Sequence, residues 1–300
     1  MTNMLSSEPQ KITLQTADGQ QLAAILYPAT VPVTGNLVIA GATGVPQGFY
    51  RRFAEYARSR GFTTLTFDYR GIGLSAPRTL KGFQASFLDW AQQDLATAVN
   101  TMSNPDVPLF ITGHSFGGQA LGLLPNHRQV SGLYAFGTGA GWHGWMPAPE
   151  RYRIWLFWNL VLPPLVRWKG YLPSKMIGIG EDLPLQVYQQ WRRWCKFPHY
   201  FFDDPAMRPV TEYYEQITTP IIAATAVDDS WALPASRDAF FAGYRNAPVQ
   251  KRDISRQEAQ GEIGHMGYFR PDARFLWDEM LDWFRQLPVT TTDKTETASI

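Results

Sequence analysis

Residues 109–118 read Leu-Phe-Ile-Thr-Gly-His-Ser-Phe-Gly-Gly, which places Gly113, Ser115 and Gly117 at Gly-x-Ser-x-Gly spacing. An apolar run precedes the motif and a helical pattern follows it, so the serine is expected on a sharp strand-to-helix turn, a nucleophile elbow. Such a turn lifts the hydroxyl above the sheet in strained backbone, and it requires glycine on both sides because a β-carbon there would meet neighbouring main chain. The chemistry this suits is attack on a carbonyl carbon, with Ser115 as nucleophile and the Phe116 amide aimed at the oxygen where negative charge develops. A bare match arises by chance in roughly one such chain in ten, and the surrounding strand and helix lower that severalfold.

A serine nucleophile needs a base. The chain has five histidines: His114, His127, His143, His199 and His265. His265 lies in the loop Gly261-Glu262-Ile263-Gly264-His265-Met266-Gly267-Tyr268-Phe269, where glycines let an imidazole reach across a sheet. His114 is inside the elbow and is expected to pack beside the serine, because adjacent elbow side chains diverge. Asp228 and Asp229 follow the apolar run Ile221 to Thr225, and either carboxylate is a candidate to orient the base. A second oxyanion donor is sought in Ala40-Gly41-Ala42-Thr43-Gly44; Ala42 is preferred because it follows the glycine that permits close approach, with Thr43 as the alternative.

These residues have to be held by alternating strands and helices. Lys11 to Thr16 and Gln21 to Tyr27 flank a Gly-containing turn and predict an antiparallel hairpin. Strands are then expected at Asn36 to Ala40, Phe62 to Phe67, Val107 to Thr112, Val130 to Phe136, Pro220 to Thr225 and Val249 to Ile254. Helical spacing recurs at Phe49, Phe53 and Tyr56, and again at Leu88, Ala91, Leu95, Ala98 and Met102; further helices are expected at Phe116 to Leu124, Ala235 to Tyr244 and Phe275 to Leu287. Such alternation implies right-handed parallel crossovers, hence a mostly parallel doubly wound α/β sheet.

The alternation stops at Gly137. Between Trp142 and Trp194 lie seven of the eleven tryptophans, with several prolines and no strand pattern. This divides the chain into a core of residues 1–138 and 206–288, a helical insertion at 139–205, and a polar tail at 289–300 that is expected to be disordered.

Composition excludes several function classes. The chain has 300 residues, 45% of them hydrophobic, ample for one large core. With 27 basic and 26 acidic residues the formal net charge is +1, so no field would draw a polyanion, and nucleic acid is not an expected partner. The single cysteine, Cys195, rules out an internal disulfide or a cysteine-based metal cluster and fits a cytoplasmic location. Met1 to Lys11 has no apolar stretch suited to a signal peptide. The longest apolar stretch, Ile154 to Val166, is broken by Asn159 and Pro163-Pro164 and falls short of the roughly 20 residues that span a bilayer. Stable membrane insertion is therefore not expected.

At the elbow, at Gly41-Ala42-Thr43-Gly44-Val45-Pro46 and at Asp68-Tyr69-Arg70-Gly71-Ile72-Gly73-Leu74-Ser75, the sequence resembles the α/β-hydrolase superfamily, especially its serine aminopeptidase-like and monoacylglycerol lipase-like branch of bacterial hydrolases. The resemblance covers Lys11 to about Leu287 apart from the insertion. It implies an α/β-hydrolase fold with the chain order serine, acid, histidine. That order selects His265 as base and favours Asp229 over Asp228 as acid. Many relatives carry His-Gly where this chain has Ala40-Gly41.

The resemblance also makes the insertion a lid over the site, where Trp142, Trp145, Trp155, Phe157, Trp158, Trp168, Trp191 and Trp194 either offer an aromatic surface to substrate or form the lid's own core. Arg151, Arg153, Arg192, Arg193 and Lys196 are expected to keep it soluble, and Cys195 is expected to serve packing. The expected activity is hydrolysis of an ester or thioester of a hydrophobic acyl group, a small-molecule substrate, with no metal or organic cofactor. The alternatives are a peptidase releasing N-terminal residues, for which Glu181-Asp182 or Asp203-Asp204 would hold the free amine, and a non-catalytic ligand-binding member.

Overall fold

A computed structural model describes residues 8–288; the expectation for 289–300 lies outside the described residues. Eight strands form one sheet in the order β1-β2-β4-β3-β5-β6-β7-β8. They are β1 (Gln10–Gln15), β2 (Gln21–Tyr27), β3 (Gly35–Ala40), β4 (Phe62–Phe67), β5 (Leu109–His114), β6 (Gly132–Phe136), β7 (Ile221–Ala226) and β8 (Val249–Ile254). β1 and β2 pair antiparallel, as do β2 and β4. All remaining pairs, from β4·β3 to β7·β8, are parallel. β5, β6 and β7 are buried along their whole length, as strands covered on both faces must be. The expected doubly wound sheet with an antiparallel N-terminal hairpin is the observed one.

Alternation along the strands divides the core. Val38, Leu65, Ile111 and Leu133 face one apolar layer, with Leu95 and Val99 of the helical stretch 87–102. Leu37, Ile39, Phe62, Phe110 and Tyr134 face the other. There α1 (Arg51–Ser59) contributes Phe53, Ala54 and Ala57. Stretch 87–102 comprises α2 (Phe87–Asp89), a π-helical middle (Trp90–Leu95) and α3 (Ala96–Met102). Its start is fixed by a reciprocal capping box between Ser86 and Asp89.

The helix behind the elbow is shorter than its sequence suggests: α4 (Phe116–Gln119) passes into a 3-10 turn at Ala120–Leu123. Gly122 packs against Tyr214, whose ring is 2.3 Å from where a β-carbon would stand.

Between β6 and β7 the chain is helical: α5 (Ala148–Leu156), a π-helical turn (Phe157–Val161), α6 (Leu162–Lys169), α7 (Leu185–Trp194) and α8 (Arg208–Thr211), followed by a 3-10 turn at Glu212–Gln216. Ile154, Trp158, Leu162 and Val166 recur every fourth residue and are buried, so one stripe of α5 and α6 faces inward. Trp158 stacks on Tyr188 of α7. Trp155, Leu160 and Trp168 stay exposed on the outer face. No helix of the described residues is long and apolar enough to cross a membrane. After β7 come α9 (Pro234–Phe241) and, after β8, α10 (Arg274–Gln286), whose Leu276, Trp277, Met280, Leu281 and Phe284 cover the α1 side of the sheet.

Candidate active site

Ser115 stands between the end of β5 and α4 with φ 53° and ψ −113°, a conformation that costs a non-glycine residue about 1–3 kcal/mol. The surroundings enforce it. The Ser115 amide donates to the Phe136 carbonyl at 2.9 Å, and the Thr138 hydroxyl donates to the Ser115 carbonyl at 2.9 Å. The flanking glycines are needed for clearance: a β-carbon on Gly113 would lie 2.4 Å from the Gly118 nitrogen, and one on Gly117 would lie 1.9 Å from the Ala40 carbonyl oxygen. Phe116, as the first residue of α4, carries an amide with no partner inside the helix.

His265 and Asp229 meet across the ends of β7 and β8. His265 Nδ1 lies 3.0 Å from each Asp229 carboxylate oxygen. The carboxylate is fully buried and also accepts the Tyr268 hydroxyl at 2.7 Å and the amides of Trp231 and Ala232 at 3.0 and 3.1 Å. Burial pushes the Asp229 carboxyl up, but His265, Tyr268 and the Trp231 amide more than reverse this and hold it below its ordinary value. Gly137 makes room for the pair: its φ is 56°, and a β-carbon there would sit 2.9 Å from an Asp229 oxygen and 3.3 Å from His265 Nδ1. With Nδ1 donating to the carboxylate, Nε2 is the basic nitrogen of the ring.

Ser115 and His265 line one cavity of about 480 Å³ together with Ala42, Thr43 and Phe116. Asp229 stands behind His265, while Asp228 accepts the amides of Ile263 and Gly264 at 3.1 and 3.2 Å. The Ala42 amide, the expected second oxyanion donor, is engaged elsewhere: it donates to the buried Tyr50 hydroxyl at 2.8 Å. Thr43, the alternative, remains on the cavity wall.

The cavity is walled by Val45, Phe157, Ile179, Trp191, Tyr200 and Trp231, with Gly137, Gly139 and Gly141 among its other lining residues. None of its lining residues is Asp, Glu, Lys or Arg. Of the tryptophans singled out in the sequence, Trp191 reaches the cavity, Trp158 and Trp194 belong to the core, and Trp155 and Trp168 are exposed. Cys195 is buried, and burial pushes its thiol up. Among the described residues no cluster of His, Cys, Asp and Glu is placed to hold a metal ion.

Three residues escaped the sequence reading. Tyr268 was visible only as an aromatic beside His265, Trp231 as a neighbour of Asp229, and Tyr50 as a continuation of the Phe49, Phe53 and Tyr56 stripe. Elsewhere Asp68 accepts the Gln47 amide at 2.7 Å and the Leu74 amide at 3.0 Å. The loop after β4 thereby braces the loop that carries Ala42 and Thr43.

Comparison with known proteins agrees with this architecture. Residues 34–177 match the family model described as serine aminopeptidase, S33. No curated protein sequence matches the chain. Among solved structures, a soluble variant of monoglyceride lipase from Saccharomyces cerevisiae, in complex with a substrate analogue, is similar at 16% identity and TM-score 0.64, covering 94% of this chain and 97% of that one. The Pyrococcus furiosus esterase Pf2001 is similar at 14% identity and TM-score 0.59, covering 94% of each chain. The thioesterase domain from the curacin biosynthetic pathway is similar at 13% identity and TM-score 0.57, covering 91% and 99%. At these identities the likeness establishes a common fold.

Proposed function

We propose that this chain, which has the α/β-hydrolase fold, is a serine hydrolase that cleaves an ester or thioester of a hydrophobic acyl group through an acyl-enzyme. The observation that carries the reading is a cavity lined by Ser115 and His265 and otherwise by apolar, aromatic and uncharged residues. In the proposed cycle Ser115 Oγ attacks the acyl carbonyl and His265 Nε2 takes its proton. The tetrahedral oxyanion is held by main-chain amides, and collapse expels the alcohol or thiol, which receives that proton from His265. Water then enters, gives a proton to Nε2 and attacks the acyl carbon. Return of the proton to Oγ frees the carboxylic acid and regenerates the serine. Asp229 keeps Nδ1 protonated and steadies the imidazolium formed in each half. The helical segment between β6 and β7 serves as the lid, with Phe157, Ile179 and Trp191 as its contribution to the acyl pocket.

The aminopeptidase reading needs a carboxylate to receive a substrate amine, and the cavity offers none. The sequence candidates are engaged elsewhere: Glu181 pairs with Lys175, Asp204 with Arg193, and Asp203 with His199, while Asp182 accepts the Lys175 amide.

A chain-length series of p-nitrophenyl esters, run beside amino-acid p-nitroanilides, tests the proposal. Ester turnover by the wild type, lost in Ser115→Ala, is expected, with little release from the anilides. Turnover that persists in Ser115→Ala, or anilides cleaved faster than esters, would overturn it.

A further inference from the structure

The Tyr50 side chain, only 1% exposed, sits between the loop after β3 and the end of β5. Its hydroxyl accepts the Ala42 N–H at 2.8 Å and lies 3.0 Å from His114 Nδ1. His114 Nε2 in turn lies 2.8 Å from the backbone carbonyl of His265. One arrangement of protons satisfies all three contacts. A carbonyl oxygen only accepts, so Nε2 carries the hydrogen. Burial holds the ring neutral, lowering its pKa to about 3, so Nδ1 is a bare acceptor. The Tyr50 O–H then donates to Nδ1, and its oxygen lone pair is free for the Ala42 amide. The chain of bonds runs in one direction, from the loop after β3 through the residue preceding Ser115 to the main chain of His265.

Packing keeps these rings in place. Tyr50 and His114 both contact Phe269, with centroids 4.9 and 5.4 Å away. A β-carbon on Gly41 would lie 3.1 Å from the Tyr50 ring, so glycine there lets the loop approach the hydroxyl. With the Ala42 N–H turned to Tyr50, Thr43 is the next residue of the loop that lines the cavity together with Ser115.

We propose that Tyr50 and His114 are positioning residues, which lock the Ala42-Thr43 loop and the His265 loop to each other so that the Thr43 amide, with that of Phe116, receives the oxyanion. A donor held this way needs no reorganisation when charge develops, which is where such sites gain most of their rate. The inference rests on the serine-hydrolase reading and takes Thr43 in place of Ala42 as the second donor.

The test compares wild type with Tyr50→Phe, His114→Phe and His114→Gln, each assayed with a p-nitrophenyl ester well below its own melting midpoint. Tyr50→Phe keeps the ring and removes the hydroxyl. It is expected to lower kcat about 10- to 100-fold with KM changed less than about threefold. The glutamine amide can stand where Nε2 stands and still donate to the His265 carbonyl, so His114→Gln is expected to retain several times the kcat of His114→Phe; if His114→Phe does not fold, Tyr50→Phe decides alone. A structure of the Ser115 adduct with a fluorophosphonate should show the phosphonyl oxygen in hydrogen-bond contact with the Thr43 and Phe116 nitrogens. Wild-type kcat in folded Tyr50→Phe, a loss confined to KM, or a phosphonyl oxygen on the Ala42 nitrogen would overturn the inference while leaving the serine-hydrolase reading intact. Failure of the wild type to hydrolyse esters or to take the probe would remove that reading, and this inference with it.

Discussion

Asp228 Oδ1 accepts the Gly264 amide at 3.2 Å, so the acid next to Asp229 grips the main chain of the same loop whose ring Asp229 holds. The two adjacent carboxylates thus divide the work: one fixes where the loop runs, the other which way the imidazole turns. Asp229→Asn presents an amide to Nδ1 and is expected to cost about a thousand- to ten-thousandfold in kcat. Asp228→Asn keeps one acceptor oxygen for the loop amides and is expected to stay within about tenfold of wild type while melting lower. Steady-state kinetics and thermal melts of the two variants check this, and equal kinetic losses would defeat the division of roles.

The elbow has no space for side chains at its glycines. In Gly117→Ala the new methyl would have to occupy a point 1.9 Å from the Ala40 carbonyl oxygen, which should destabilise the fold by about 3 kcal/mol or more. Gly48→Ala is the control, because nothing lies within 4 Å of its β-carbon position, and a change within about 0.5 kcal/mol is expected. Urea denaturation of both distinguishes a steric requirement from a general intolerance of substitution.

Acid should weaken the fold through His114. In the native state its ring accepts a proton only near pH 3, against an ordinary value of 6.5. Between those values the unfolded chain binds a proton that the folded chain refuses. The stability it supports is therefore complete above pH 6.5 and declines, by about 1.4 kcal/mol per pH unit, as the pH falls toward 3. Asp229 acts in the same direction at lower pH: its native pKa is depressed, so its contribution holds above the ordinary carboxyl value and is lost as pH falls below it. Denaturation curves from pH 8 to 4 should show His114→Gln with a slope shallower by about one proton. Superimposable slopes would exclude His114 as the source.

Trp231 lines the cavity that holds Ser115 and His265, its ring centroid 6.3 Å from Trp191 and 6.4 Å from His265, at the end where the proposed chemistry takes place. Trp231→Ala opens the cavity at that end. The preference in kcat/KM is expected to move roughly tenfold toward longer or bulkier acyl groups. A chain-length profile with an unmoved optimum would place the acyl chain elsewhere.

Local patterns made most of the architecture readable. β4 and β8 run from Phe62 to Phe67 and from Val249 to Ile254, as hydrophobic alternation and apolar runs predict, and the elbow announces itself through glycines whose clearance is set by backbone alone. Contacts distant in sequence were less readable. That Ala42 would give its amide to Tyr50 depends on how α1 docks against the sheet, and that Tyr268 would brace Asp229 depends on a loop crossing from β8 to α10. The tryptophans of the helical segment were ambiguous for a physical reason: a large aromatic suits a core and a ligand pocket equally, and only packing sends Trp158 to one and Trp191 to the other.

The strained backbone at Ser115 means that the protein would be tougher without the serine proposed as its nucleophile. Glycine accepts a φ of 53° without the penalty that serine carries there, so Ser115→Gly should unfold at a higher temperature than the native sequence while losing all turnover. Chemistry and durability pull against each other at this position, and the serine marks the side on which the chain has settled.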